Sequence, residues 1–356
     1  MWGTPKVGPP ATHRDHRSTR NLEAVMPTIS APLTSTPAAR PHRMRRWALP
    51  AAFLAVAGLV VVSLSVGAYD ISGSEFGSEM FFISRVPRTA ALILAGCAMS
   101  VSGLIMQMLT QNRFVEPTTT GTAEWAALGL LGTVLIIPNA SMTTKMVIAS
   151  ACAFIGTLVF VGIVRRVTLK TSLIVPLIGI MLGAVISAFT TYVAVSTNLL
   201  QMLGTWFMGS FTGVVRGQYE VLWVVAVVVL IASLAADRFT VAGLGEDIAT
   251  GVGLNYGRVM LIGSALVAVA TGVTTVVVGF LPFLGLIVPN LVSLIRGDNL
   301  RSNIPWVCVG GVATIMVCDI VGRLIRIPFE IPVSLILGIL GPIVFITILI
   351  RQRRHE

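Results

Sequence analysis

Arginines set against apolar sequence are where this chain holds its most specific chemistry. In Ser84-Arg85-Val86-Pro87-Arg88-Thr89, two guanidinium groups stand on either side of a proline at the head of a long apolar run. A guanidinium is a planar fork of N–H donors that pairs bidentately with a carboxylate. The pair suits docking of an acidic partner, and equally the anchoring of a helix end at a membrane interface. Arg323 and Arg326 pose the same choice at the end of another apolar run. There Asp319 precedes Arg323 by one helical turn, so an i,i+4 ion pair is expected to neutralise a charge close to apolar surroundings.

A second polar feature is the stretch Leu244 to Arg258, LGEDIATGVGLNYGR, an island between two apolar runs. Leu244, Ile248 and Val252 recur at i, i+4 and i+8 and make an apolar stripe. Glu246 and Asp247 fall in the first turn, where a helix favours negative charge. Gly251 and Gly253 are expected to end this helix, and Asn255 to cap a second one leading into the next apolar run. Such a helix either connects two membrane segments or meets a soluble partner.

Two further patterns concern the backbone. Gly279-Phe-Leu-Pro-Phe-Leu-Gly-Leu-Ile-Val-Pro-Asn290 places Pro282, Gly285, Pro289 and Asn290 in a segment of membrane depth. Proline and glycine there free backbone groups that neighbours must satisfy, which marks a kinked or broken helix, whether or not it lines a path. Gly96, Ser100 and Gly103 recur at i, i+4 and i+7, a small-residue face that favours close helix packing over direct contact with a substrate.

Catalytic signatures are missing. No H-E-x-x-H, G-x-S-x-G or paired carboxylates in an apolar pocket sequence occur. Lys6, Lys145 and Lys170 are the only lysines, and none follows a glycine, which excludes a Walker A loop. The four cysteines all lie in apolar runs, without disulfide or metal-ligand spacing. Neither an enzyme nor a resident cofactor or metal is expected.

The elements that position these residues are membrane helices. The 356 residues are 55% hydrophobic and 11% charged, too apolar for a soluble domain. The net charge of +10 is scattered between apolar runs, which speaks against nucleic acid. Residues 1–46, rich in Pro, Thr, Ser and Arg, read as a disordered basic arm in the cytoplasm, and 47–356 as the transmembrane domain. A start at Met44 and a signal peptide cleaved near Val66 and Ala68 are the rival readings of the amino-terminal part. Against the latter, the run Trp47 to Val66 is itself long enough to cross roughly 30 Å of hydrocarbon.

Further apolar segments cover Thr89 to Leu109, Gly121 to Ile137, Met146 to Val164, Leu173 to Val195, Tyr219 to Ala236, Val259 to Val278, Leu284 to Ile295, Trp306 to Ile325 and Pro332 to Ile350. The expected fold is therefore all-α, with about ten transmembrane helices. Gly121 to Ile137 and Leu284 to Ile295 are short for a full crossing, and Leu199 to Phe211 reads as a short helix on the outer surface. With the amino terminus inside, the cytoplasmic side beyond the arm receives Arg113, Arg165, Arg166, Lys170, Arg238, Arg258, Arg296, Arg301, Arg351, Arg353 and Arg354. The outer side receives only Arg85, Arg88, Lys145, Arg216, Arg323 and Arg326. The positive-inside rule then puts both termini and the island at 244–258 in the cytoplasm.

Taken in order, Arg85-Val-Pro-Arg88, Gln111-Asn-Arg-Phe-Val-Glu-Pro117, Leu244-Gly with Gly251-Val-Gly253, Gly279 to Asn290, Asp319-Ile-Val-Gly-Arg323 and Glu330-Ile-Pro-Val form a pattern. It resembles the binding-protein-dependent permeases for ferric siderophores, haem and cobalamin, from about Trp47 to the carboxyl end. The family's commoner version of the glycine-proline segment reads G-P-I-G-F-I-G-L-I-V-P-H, and here Phe280, Pro282 and Asn290 replace its Pro, Gly and His. With Arg296-Gly-Asp-Asn299, that variant resembles the subgroup for catecholate-type siderophores.

The resemblance implies an importer of the cell (inner) membrane, embedded in lipid. It implies a second permease subunit, identical or paralogous, a cytoplasmic ATPase dimer and an extracytoplasmic siderophore-binding protein. Arg85, Arg88 and Arg323 match the arginines that dock the binding protein in relatives. Leu244, Gly245, Glu246, Asp247, Ile248, Ala249, Gly251 and Gly253 match the ATPase-coupling element. The competing reading is a secondary transporter driven by an ion gradient, with Asp319 as its relay. An intramembrane enzyme would need a metal or nucleophile constellation that the sequence lacks.

Overall fold

The computed structural model describes Gly3, Gly8 and residues 42–66, 77–167, 173–326 and 329–353. The chain divides after Arg43, and residues 44–356 form the helical unit that carries the polar features named above. Most of the arm expected to be disordered, and with it Ala68, Lys170 and Arg354, lies outside the described residues.

Among the described residues every regular element is helical. In order they are α1 (His42–Ser65), α2 (Gly77–Met80), a π-helical turn Phe81–Arg85, α3 (Val86–Thr110), α4 (Thr122–Ile136), α5 (Met142–Arg166), α6 (Ile174–Ser196) and α7 (Leu200–Phe207). There follow α8 (Trp223–Leu234), α9 (Ala236–Ala242), α10 (Glu246–Gly251), α11 (Tyr256–Val277), α12 (Leu284–Arg296), α13 (Leu300–Leu324) and α14 (Val333–Arg353).

Among the described residues six helical stretches are long and apolar enough to cross a membrane: Ala48–Ser65, Phe81–Thr110, Met142–Arg166, Ile174–Ser196, Tyr256–Val277 and Leu300–Leu324. A seventh arises if the pair Glu220–Leu234 and Ala236–Ala242, bent by 63°, is one span. Three of the segments read as spans are shorter apolar helices: Thr122–Ile136, Leu284–Arg296 and Val333–Thr347. The reason is geometric. At 1.5 Å per residue the 15 residues of α4 reach only about 22 Å. Gly121, at φ 81°, starts α4 and Pro138 follows its end, so the helix cannot extend in either direction.

α3 runs through the middle of the bundle. Of the continuous helix Phe81–Thr110, 83% of the membrane-length window is buried, against 6% for α1 and 22% for α6, which turn their apolar side chains outward. The small residues of α3 explain how neighbours reach it. A Cβ on Gly96 would sit 3.0 Å from the Val312 backbone of α13. One on Gly311 would sit 2.2 Å from Ser100 Oγ, and one on Gly103 1.9 Å from the Gly285 carbonyl oxygen of α12. Gly96, Ser100 and Gly103 thus hold α13 and α12 at backbone distance.

This packing has a direct test. Gly103→Ala is expected to destabilise the purified protein by about 1–3 kcal/mol, because the added methyl overlaps fixed backbone. Gly132 of α4 has open space around it, so Gly132→Ala should leave the melting temperature in detergent unchanged or raised. Equal melting of the two variants would show that the α3–α12 contact is not close-packed.

Candidate functional site

Three places in the fold gather the chain's polar groups. At the first turn of α3, Arg88 donates from Nε and Nη2 to Asp319 Oδ1 at 3.3 and 2.7 Å, and from Nη1 to both oxygens of Glu330 at 3.0 and 2.8 Å. Asp319 also receives Arg323, the i,i+4 pair expected from the spacing. Arg323 Nη1 donates to the carbonyls of Ser63 and Val66 at 3.0 and 2.7 Å, and Nη2 to Ser63 Oγ at 2.8 Å. Arg85 Nη1 donates to the carbonyls of Leu64 and Ser65. The last carbonyls of a helix have no intrahelical partner, and here arginines from α13 and the π-helical turn supply donors for the end of α1.

The cluster is charge-balanced, with Arg88 and Arg323 against Asp319 and Glu330. Its side chains are 12%, 5%, 1% and 20% exposed respectively, so Arg323 and Asp319 are interior groups, and Arg88 and Glu330 form the outer edge. Burial raises the Glu330 pKa, but the Thr212 hydroxyl, donating at 2.7 Å, and the adjacent Arg88 outweigh it, and the carboxyl lies below its ordinary value. Sequence reasoning placed Glu330 in a motif without a role, because its partner Arg88 lies far away in the chain.

The second place is the polar island. α10 covers only Glu246–Gly251, entered through Gly245 at φ 113°. Leu244 and Val252 therefore flank the helix instead of continuing one stripe, yet Leu244, Ile248 and Val252 all stand exposed. Ala249 is buried beneath them. Glu246 and Asp247 occupy the first turn, and Gly253, at φ 82°, follows the helix. Asn255 caps α11 by accepting from the Arg258 N–H at 3.0 Å. Arg165, at the end of α5, pairs with Glu246 at 2.7 Å and lies over the Tyr256 ring. Both charges are about half exposed, so the pair is worth no more than about 1 kcal/mol.

The third place is α12. Between α11 and α12 the backbone breaks, with Gly279 at φ 95° and Phe283, a non-glycine, at φ 63°. Irregular backbone at this depth must be met by protein, and the segment after α7 meets it. Ser210 N–H donates to the Val278 carbonyl, Ser334 N–H donates to the Gly209 carbonyl, and a Cβ on Gly209 would lie 1.8 Å from the Phe280 carbonyl oxygen. Pro289 lacks the N–H that would reach the Gly285 carbonyl, and Gln107 Nε2 of α3 donates to that carbonyl instead, at 3.4 Å. Asn290 Nδ2 donates to the carbonyls of Arg113 and Leu286 at 2.7 and 2.8 Å. Gly285, Pro289 and Asn290 are buried and Pro282 partly so; these residues, like Gly96, Ser100 and Gly103, take part in packing.

Two further carboxylates stand apart from the ion pairs, one beside the start of α12 and one beside α6, and sequence spacing assigns neither a role. Glu116, in the loop between α3 and α4, is wholly buried; its Oε1 accepts from the Phe283 N–H at 2.8 Å and from Thr118 Oγ1 at 2.5 Å. Burial pushes its pKa up to about 7, against these hydrogen bonds. Glu124, in the first turn of α4, has a buried Oε2 without a hydrogen-bond partner and lies near Gly183 of α6. No group of three or more metal-ligating side chains occurs among the described residues.

A helical membrane bundle with a close-packed central helix, a broken half-length helix and an exposed short helix between spans defines a membrane permease. Residues 53–351 match the FecCD transport family, and the chain belongs to that family. It is 55% identical over 303 residues to the petrobactin import system permease protein FatD of Bacillus anthracis, covering 85% of this chain and 91% of that one. The petrobactin import system permease protein YclN of Bacillus subtilis is 40% identical, covering 85% and 98%, and the ferric-anguibactin transport system permease protein FatD of Vibrio anguillarum 38%, covering 84% and 97%. Among solved structures, a transporter assigned to the metal-chelate ABC type, in an inward-facing conformation, superposes with a TM-score of 0.74 at 21% identity over 85% of this chain and 98% of that one. That likeness concerns the fold.

Breaking the charge cluster should be costly. Asp319→Asn leaves two buried guanidiniums against one carboxylate and is expected to cost about 3–5 kcal/mol, read as a lower melting temperature in detergent. The contribution of Glu330 is present above the ordinary carboxylate range and is lost as pH falls through its lowered pKa. Acidification should therefore lower the melting temperature of the wild type more than that of Glu330→Gln; parallel curves would remove Glu330 from the cluster's energetics.

Proposed function

We propose that this chain is the membrane-spanning permease subunit of an ATP-binding-cassette importer that carries a ferric siderophore of the catecholate type across the cell membrane. The observation that carries this reading is the 55% identity, over 85% of the chain, to a petrobactin import permease. In this reading the ATPase is a separate cytoplasmic dimer, a second permease subunit completes the path, and an extracytoplasmic binding protein delivers the chelate. The six long helices, the bent pair and the three shorter apolar helices together make the ten membrane segments, with both termini in the cytoplasm.

The ATPase meets the segment from Leu244 to Gly253. What supports this is the exposure of Leu244, Ile248 and Val252 on a short helix, since an apolar patch on a polar connector suits a groove on a partner. Docking of the binding protein falls to Arg85, with Arg88 and Arg323 behind it, since Arg88 already donates to Asp319 and Glu330. Arg323 is 7% exposed and bound to Asp319, so its part is to hold the site in shape. The same surroundings speak against an ion-coupled transporter, because both oxygens of Asp319 are engaged by guanidiniums, Oδ1 by Arg88 and Oδ2 by Arg323.

Reconstituted permease, ATPase and binding protein should take up ferric siderophore only with ATP; uptake driven by an ion gradient without the ATPase would refute the importer. Arg85→Glu should abolish uptake while the permease still assembles with the ATPase, and normal uptake by this variant would remove the docking role. Gly251 has open space around it, so Gly251→Trp should insert normally and, like Ile248→Asp, uncouple ATP hydrolysis from transport. Full transport by both would reduce the island to a connector.

A further inference from the structure

Glu116 is a fully buried carboxylate, and none of the ion pairs among the described residues reaches it. An apolar side chain of similar volume would fill its place without the cost of desolvating a carboxylate. What the carboxylate offers instead is acceptor oxygens, and these face the start of α12. Oε1 accepts from the Phe283 N–H at 2.8 Å, and Oε2, buried without a hydrogen-bond partner, stands beside Gly285, 3.1 Å from where a Cβ would sit. The first N–H groups of any helix lack intrahelical partners. In α12 the problem is sharper, because the preceding backbone is broken and buried.

The loop that carries Glu116 is tied to α12 at more than one level. The Arg113 carbonyl accepts from Asn290 in the middle of the helix, and the Arg113 guanidinium pairs with Asp298 just beyond its end. The same loop begins at the island. A Cβ on Gly243 would lie 2.8 Å from Met108 Sδ, and one on Gly245 3.0 Å from Gln111 Nε2. Gln111 is the residue at which α3 ends and the loop starts. One short segment, 108–116, therefore touches the approach to α10 at one end and grips α12 at the other.

We propose that Glu116 is a positioning residue for transport: it clasps the amino end of α12 to the loop after α3, so that displacement of the island moves the broken helix. The proposal rests on the reading of Leu244 to Gly253 as the ATPase contact. Gln111 and Met108 receive the displacement, the loop carries it, and Glu116 with the Arg113 carbonyl delivers it to α12. Without the clasp, α12 loses its hold at the break and stays behind when the island moves.

The test uses the full complex of permease, ATPase and binding protein in liposomes, with ferric petrobactin as probe, and compares Glu116→Ala with Glu116→Gln. Two quantities are read: hydrogen exchange of the amides at 283–287 relative to those of α3, and chelate taken up per ATP hydrolysed. In the Ala variant, exchange at 283–287 should accelerate by about ten- to a hundredfold, as expected for loss of a hydrogen bond to a buried charged group, with α3 still protected. Uptake per ATP should fall about tenfold, the scale on which a coupling element acts. Gln keeps an acceptor for the Phe283 N–H and should fall between wild type and Ala in both quantities. Wild-type uptake per ATP in both variants, or unchanged exchange at 283–287, overturns the proposal. Should the Ala variant also lose α3 protection, the Gln variant decides: wild-type values for it overturn the clasp. Ile248→Asp separates the two readings. If it and Gly251→Trp both transport normally while Glu116→Ala does not, the ATPase contact is wrong and Glu116 holds α12 without relaying movement of the island; if both uncouple while Glu116→Ala transports normally, the ATPase contact stands and the clasp is wrong.

Discussion

A backbone group freed inside an apolar bundle has no water to turn to, and that constraint accounts for several of the polar side chains buried among the described residues. Pro289 cannot donate to the Gly285 carbonyl, and Gln107 takes its place from α3. The break at 279–283 is covered by the backbone around Gly209, which only a residue without a side chain allows so close to Phe280. The carbonyls at the end of α1 are met by Arg85 and Arg323, and the Phe283 N–H at the entry to α12 by Glu116. Each break in regular helix thus fixes the identity of a polar residue elsewhere, usually on α3 or the loop that leaves it.

The charge cluster answers to the same constraint with higher stakes. Buried ion pairs bring little net stability, because desolvation offsets their attraction, but a cluster that loses one member strands a charge in the interior. Arg88, Asp319, Arg323 and Glu330 consequently tie α3, α13 and the approach to α14 into one arrangement, with the end of α1 attached through Ser63. Specificity of geometry, more than stability, is what such a cluster contributes.

Much of this was legible in the sequence where the physics is local. The apolar segments, the shortness of α4 and α12, the Asp319–Arg323 pair and the Asn255 cap all follow from spacings of a few residues. The bounds of α10 were not, since the entry at Gly245 depends on a backbone angle that the stripe of Leu244, Ile248 and Val252 does not encode. Nor were the partners of Arg88 and Glu116: Glu330 lies 242 residues from the one and Phe283 167 residues from the other. Periodicity finds faces and ends of helices; it carries no record of which distant groups those faces meet. Packing adds what spacing does not carry: Gly285 and Gly311 approach the small face of Gly96, Ser100 and Gly103 at backbone distance.

Asn290 illustrates how far a sequence variant can be read once its contacts are known. The family's commoner pattern has histidine there, and a neutral imidazole carries a single N–H donor. The asparagine amide carries two on one nitrogen, and both are engaged here, one to the Leu286 carbonyl within α12 and one to the Arg113 carbonyl in the loop. The residue is buried and its donors are consumed, so it has none left for a passing chelate. The substitution that marks this subgroup therefore acts on how α12 is fastened to the loop after α3.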